Sequence, residues 1–369
     1  MKHTKAIPIL LVAGIASAIL ATATLPAFAA DPSPTKNEQL FADLYKLGPE
    51  EREKRLIEGA KKEGKVALLT QNRGKAASDQ MDMFGQRYPF LKVSYTSNSS
   101  PIVTEILFNE TAAGKHLSDG MSGNTPNFRI LLEANIPARF PTPLADVIPS
   151  RYAGFKDPEN RFLPYYTTGH AIGFNPTMMK PEEYPKSYQD LCQPRFKGQI
   201  SFEPAESQFL IGLYEMFGHD EQKVQDWLKC IGENEPIIMK GHTTRLMLML
   251  AGDHSTSPDL LDYNGVALNL KNPKKAPFRI VYEAPLMVNA SATLINNNAS
   301  NPNAAALFTE YGLSDEYQDY LFKLMRGTMK GKHPFLPDNA ILIPYAYVPD
   351  AVEQRLHGYW NKYVGTVKY

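Results

Sequence analysis

The stretch 56-LIEGAKKEGKVALLTQNR-73 places a helix end, a helix stop and a buried strand in immediate succession. Gly64 follows the basic pair Lys61-Lys62. A helix C-terminus favours that chemistry, because cations offset its dipole and glycine turns left-handed without strain. Val66-Ala67-Leu68-Leu69 is an apolar run suited to a strand covered on both faces, as in a parallel sheet. The run stops at Thr70-Gln71-Asn72-Arg73-Gly74. Open α/β sheets bind ligands beyond the carboxyl ends of their strands, so Asn72, Arg73 and the amides opening the next helix are candidate contacts. An ordinary βα loop would carry the same residues.

Outward from this unit the rhythm continues. Residues 37–62 read as helices, with Pro49 at a favoured opening position. Downstream, 76–88 reads as a helix, 91–95 alternates like a strand, 102–114 and 128–135 read as helices, and Asn124-Thr125-Pro126-Asn127 forms a turn between the last two. Strand, helix, strand in this order indicates a parallel sheet. Residues 165–174 form a long β-rich run, and a second such segment is 279–283 followed after Pro285 by 286–295. Between them lies another α/β block: strand 199–202, helices 208–217 and 222–231, strand 236–238 and helix 243–251. The chain then returns with helices 302–311 and 316–325. Two α/β lobes joined by two crossing strands would make a hinged clamp.

The first thirty residues stand apart. A positive start, an apolar stretch from Ile7 to Leu20 and Ala27-Phe28-Ala29 form a cleavable export signal over 1–30. No cysteine near the cleavage point offers a lipid anchor. The mature chain is expected to be free in an envelope compartment, without a membrane anchor. About 340 residues remain, room for two domains. Lys plus Arg number 39 and Asp plus Glu 39, so the formal net charge is zero. That balance lacks the basic stripe nucleic-acid binding requires, leaving a small solute and other proteins as partners. Cys192 and Cys230 are the two cysteines. Export into oxidising surroundings makes them a candidate disulfide, against the alternative of two free buried thiols.

Several phrases resemble the solute-binding proteins of ABC importers, specifically the ferric-iron-type branch of the class II periplasmic binding proteins. Pro185-Lys186-Ser187-Tyr188-Gln189-Asp190-Leu191 with Pro194-Arg195-Phe196-Lys197-Gly198 is similar to the start of that family's second lobe. Asn301-Pro302-Asn303-Ala304-Ala305-Ala306-Leu307-Phe308 with Leu313-Ser314-Asp315-Glu316 resembles its return to the first, and Glu58-Gly59-Ala60-Lys61-Lys62-Glu63-Gly64 resembles its opening helix. The resemblance implies the class II fold, a monomer, ABC permease partners, a periplasmic location and no cofactor. The implied division is an N-terminal lobe of 31–168 plus 287–330, a C-terminal lobe of 169–286, and a segment 331–369 packing on both.

Iron-binding members hold the ion with a histidine after the first strand, an acidic residue in a later first-lobe loop and adjacent tyrosines from the second lobe. Here those places carry Asn72 or Arg73, Ser122-Gly123-Asn124, and Asp262-Tyr263-Asn264. A trivalent cation prefers anionic oxygen ligands, which favours a small organic anion and leaves ferric ion as the alternative. The anion donors would be Arg73, Ser207 and Thr243 at helix starts, and Arg245, with Asn72, Asn124, Tyr166 and Tyr263 lining the cleft. Helix capping explains Ser207 and Thr243 equally well. His170 reads as a hinge histidine, and Met247 and Met249 as core filler. No metal ligand set is assigned. An exported hydrolase is the remaining alternative, but Gly120-Met121-Ser122-Gly123 falls short of a nucleophile elbow and no other catalytic motif occurs. The reading is a binding protein, not an enzyme.

Overall fold

The computed structural model describes residues 33–271, 276–331, 338–343 and 348–365. The expected export signal and parts of the 331–369 segment lie outside the described residues. Helix α1 (Lys36–Tyr45) opens with a capping box: the Thr35 hydroxyl accepts from the Glu38 amide, while the Glu38 carboxylate accepts from the Thr35 amide. Helix α2 (Pro49–Glu63) ends at Gly64, whose φ of +64° fits the left-handed stop expected there. β1 (Lys65–Thr70), α3 (Lys75–Arg87), β2 (Lys92–Ser97), α4 (Ser100–Ala112) and β3 (Gly120–Asn124) follow, with β1 parallel to both β2 and β3. The expected helix at 128–135 shortens to α5 (Arg129–Glu133) after a 3-10 turn, and Asn135 at φ +52° closes it.

β4 (Leu163–Phe174) is buried along its whole length. The next block holds β5 (Ser201–Phe202), α6 (Ser207–Met216), α7 (Glu221–Glu233), β6 (Ile237–Ile238), α8 (His242–Ala251), β7 (Thr256–Leu261), α9 (Asp262–Lys271) and β8 (Arg279–Ile280). β9 (Met287–Ile295) then runs antiparallel to β4, and α10 (Pro302–Tyr311), α11 (Asp315–Lys323), β10 (Gly327–Thr328), β11 (Ile341–Leu342) and α12 (Asp350–Tyr363) complete the chain. The main sheet runs β10-β4-β9-β3-β1-β2, with β7 and β8 pairing β4 and β11 pairing β9. β4 and β9 are therefore the two crossing strands. The segment 279–283 is not one of them: its strand ends at Ile280 as a short partner of Gly173 and Phe174. β7 had no counterpart in the sequence pattern, because Thr256-Ser257-Pro258-Asp259 is polar although Thr256, Ser257 and Asp259 are fully buried.

Apolar packing divides along these strands. Phe41, Leu56, Phe84 and Tyr311 cover one face of the parallel sheet, and Val103, Leu107 and Phe128 cover the other. This two-sided cover explains the unbroken Val66–Leu69 run. A separate core gathers Phe202, Phe209, Trp227 and Trp360. Trp360 belongs to α12, so the last helix packs with the block that lies between the crossing strands. Cys192 and Cys230 form a disulfide beside that core, with Cα atoms 5.3 Å apart. Met249 is fully buried as expected, but Met247 is 54% exposed and is not core filler.

Candidate functional site

A cavity of about 660 Å³ opens where β1, β3 and β4 meet the helix starts of the second block. Asn72, Arg73, Asn124, Tyr166 and Tyr263 line it together with His242, Thr243, Glu203, Glu206 and Arg326. The starts of α3, α4, α6 and α8 all border it, bringing helix N-termini, with their unpaired amides and positive dipole ends, around one space. Gly241 precedes α8 at φ +107°, a conformation that side-chain-bearing residues rarely adopt.

Hydrogen bonds fix the first-lobe wall. The Gln71 side-chain amide donates to the Tyr166 hydroxyl at 3.0 Å and to Ser291 Oγ at 2.9 Å, and Ser291 donates to Asn124 Oδ1 at 2.9 Å. Asn72 donates to Gln80 Oε1 at 2.8 Å. Arg73 is exposed at the rim. Arg326, which the sequence did not single out, enters because β10 pairs with Tyr166 and Thr167. Its guanidinium lies 3.5 Å from the centre of the Tyr263 ring and 5.2 Å from that of Tyr166. Burial opposes its charge, but the two tyrosines and Asp262 more than offset this and raise its pKa. Among the described residues no carboxylate forms an ion pair with it.

Two expected donors point elsewhere. Arg245 is fully buried and pairs with Asp259 at 2.5 Å and Ser257 Oγ at 2.7 Å, so it neutralises a carboxylate on β7 rather than facing the cavity. Ser207 hydrogen bonds His357 Nε2 at 2.7 Å, which ties α6 to α12 and leaves its neighbours Glu206 and Gln208 in the lining. Tyr165 is buried among first-lobe aromatics, stacked on Tyr317. Ser122, weighed as a nucleophile, is buried in β3 against Thr70 Oγ1 at 2.9 Å.

Behind the second-lobe wall, Glu206 lies between two imidazoles. His170 Nε2 is 3.3 Å from Glu206 Oε2, and His242 Nε2 is 3.4 Å from Glu206 Oε1. Desolvation alone would raise the Glu206 pKa, but the two histidines hold it well below the usual carboxylate range. Burial would lower the His170 pKa, yet Glu206, with Asp259 and Asp262 beyond it, keeps it above the ordinary value. These three side chains are the cluster among the described residues with metal-ligand spacing.

A sequence model of the family described as bacterial extracellular solute-binding protein matches residues 102–341. No curated protein matches the chain in sequence. Solved structures share its fold. Iron-bound HitA from Pseudomonas aeruginosa is 17% identical with a TM-score of 0.69, covering 80% of this chain and 98% of its own. Trichodesmium IdiA (FutA), in complex with iron and citrate, is 18% identical with a TM-score of 0.67, covering 82% and 100%. AfuA from Actinobacillus pleuropneumoniae, with fructose 6-phosphate bound, is 18% identical with a TM-score of 0.67, covering 82% and 98%.

Proposed function

The chain belongs to the bacterial extracellular solute-binding proteins, and from that premise we propose that it captures a small organic anion in the cavity between its lobes. It is a binding protein rather than an enzyme, it serves ABC permease subunits, and it works outside the cytoplasm. The finer reading is a monomer, exported to the periplasm by a cleaved signal over 1–30 and without an anchor. Its lobes would be 31–168 plus 287–330 and 169–286. Separate apolar cores on either side of β4 and β9 support that division.

The anion reading rests on Arg326. A half-buried guanidinium, stacked on Tyr263 and without a carboxylate ion-paired to it among the described residues, is preorganised to receive a carboxylate or phosphate in bidentate geometry. Arg73 at the rim adds a second positive charge, and the bordering helix starts add amide donors. Capture follows if the anion binds the closed lobes better than the open ones. Ferric ion is the second reading, favoured by Tyr166 and Tyr263 in the lining, but Arg326 lies against both rings and would repel a trivalent cation.

Thermal-shift measurement on refolded, ligand-stripped protein tests this with citrate, fructose 6-phosphate and ferric chloride as probes. Binding stabilises by RT ln(1 + [L]/Kd), so the expected result is an upward shift with an anion that Arg326→Gln removes. A shift with iron alone, insensitive to that substitution, overturns the anion reading.

A further inference from the structure

We propose that His170, Glu206 and His242 form a binding site for a zinc-like divalent cation in the second-lobe wall, with its open coordination positions facing the cavity. The donors arrive from three elements: β4, the residue capping α6, and the first residue of α8. Glu206 and His242 line the cavity, whereas His170 is fully buried. Tetrahedral coordination with bonds of about 2.1 Å separates neighbouring donor atoms by about 3.4 Å. His170 Nε2 stands 3.3 Å from Oε2 and His242 Nε2 3.4 Å from Oε1, the other oxygen of the same carboxylate, and one donor atom from each of the three residues lies within 4.8 Å of the others.

The same atoms are not satisfied by each other. Among the described residues, both ring nitrogens of His170 and Glu206 Oε2 are buried without a well-aligned hydrogen bond, although Nε2 and Oε2 stand 3.3 Å apart. Burying polar atoms away from water without good partners is costly. A cation bound to His170 Nε2 and Glu206 Oε2 would satisfy both atoms. Charge supports the assignment, since Glu206, Asp259 and Asp262 all act on His170, while Arg245 pairs with Glu203 and Asp259. Two imidazoles with one carboxylate suit zinc and its neighbours in the first transition row, and suit calcium, magnesium or bare ferric ion poorly.

Arg245 Nη2 lies 2.7 Å from His242 Nδ1. Arginine can only donate, so Nδ1 accepts and the ring proton sits on Nε2 before metal arrives. Loading therefore requires the other tautomer: Nε2 loses its proton to solvent through the cleft and Nδ1 takes one up, so the ring stays neutral, the Nε2 lone pair goes to the cation, and Arg245 Nη2 gives up its bond to Nδ1 while Nη1 keeps Ser257 and Asp259. The site uses none of the positions 72–73, 122–124 or 262–264 that the sequence resemblance sets against iron ligands.

The test is isothermal titration of tag-free, chelator-stripped protein purified from the periplasm of an expression host. The titrants are zinc chloride, with magnesium and calcium chlorides as comparisons, and cobalt(II) serves as a spectroscopic probe. The expected result is one zinc per chain, no comparable magnesium or calcium binding, and the intense visible absorption of four-coordinate cobalt. Glu206→Gln and His242→Ala should each weaken zinc at least tenfold, a loss of the size that removing a ligand produces. His219→Ala, at an exposed histidine beside Glu215, should leave it unchanged. Arg326→Gln should abolish the anion shift and retain zinc, so the two readings fail separately. No stoichiometric uptake by wild type, octahedral-type cobalt spectra, or undiminished zinc affinity in both ligand variants overturns the site.

Discussion

Arg326 has its charge held by two aromatic rings and the field of Asp262, with no carboxylate ion-paired to it among the described residues, so a substitution there is expected to remove ligand affinity while leaving the fold intact. Charge-assisted bidentate bonds contribute about 1.5–3 kcal/mol each. Arg326→Gln should accordingly weaken the anion that shifts wild type by at least tenfold, whereas Arg326→Lys, which keeps charge but loses planarity, should fall between. Calorimetric affinities check the order. Asp262 offers a test in pH. Burial raises its pKa to about 6 from 3.8. The folded state then holds this proton to a higher pH than the unfolded state, and the group's contribution to stability declines as pH rises through that interval. Asp262→Asn should be more stable than wild type by about 1–3 kcal/mol near pH 7, with the difference shrinking towards pH 4, as read by urea unfolding. A less stable variant would mean that the carboxylate's bonds to Gly169 and Tyr263 outweigh its desolvation. Arg73 was legible because it ends a recognisable strand. Arg326 was not, because its place in the cavity depends on β10 joining β4 rather than on any local motif.

Helix starts and the β1 unit were readable because capping, Gly64 and an apolar run act over a few residues. β7 was hidden for the converse reason: its buried polar residues are tolerable only through partners, and Arg245 is the partner of Asp259. Missing that strand turned a structural arginine into a supposed ligand donor. Ser207 misled in a similar way, since its bond partner lies in a distant helix. That helix, α12, packs through Trp360, which is 1% exposed, against Phe202. Arg129 of α5 also donates to Asp350 and, at 2.8 Å, to Glu353 of α12. Trp360→Ala should cost about 3–5 kcal/mol, the range for deleting a buried aromatic side chain. Loss of the second block's protection in hydrogen exchange, with β1 and β2 spared, would localise the effect.

Across the whole molecule, the two-lobe plan followed from strand and helix order, and the crossing of β9 was blurred only by the nearby β-rich segment at 279–283. The Cys192–Cys230 bond closes a separation of 38 residues. In the chain-entropy description a loop of that length contributes about 3–4 kcal/mol. A Cys192→Ser, Cys230→Ser double variant should lose stability of that order in denaturant unfolding, with ligand affinity preserved because neither sulfur borders the cavity. β9 has a different consequence. It lies between β3 and β4 in the sheet, yet more than a hundred residues of chain separate it from either. A polypeptide emerging from a translocation channel N-terminus first cannot finish this sheet until most of it has been delivered. β1, β2 and β3 must wait with an open edge, the condition that exposes a slow-folding chain to aggregation and chaperone capture.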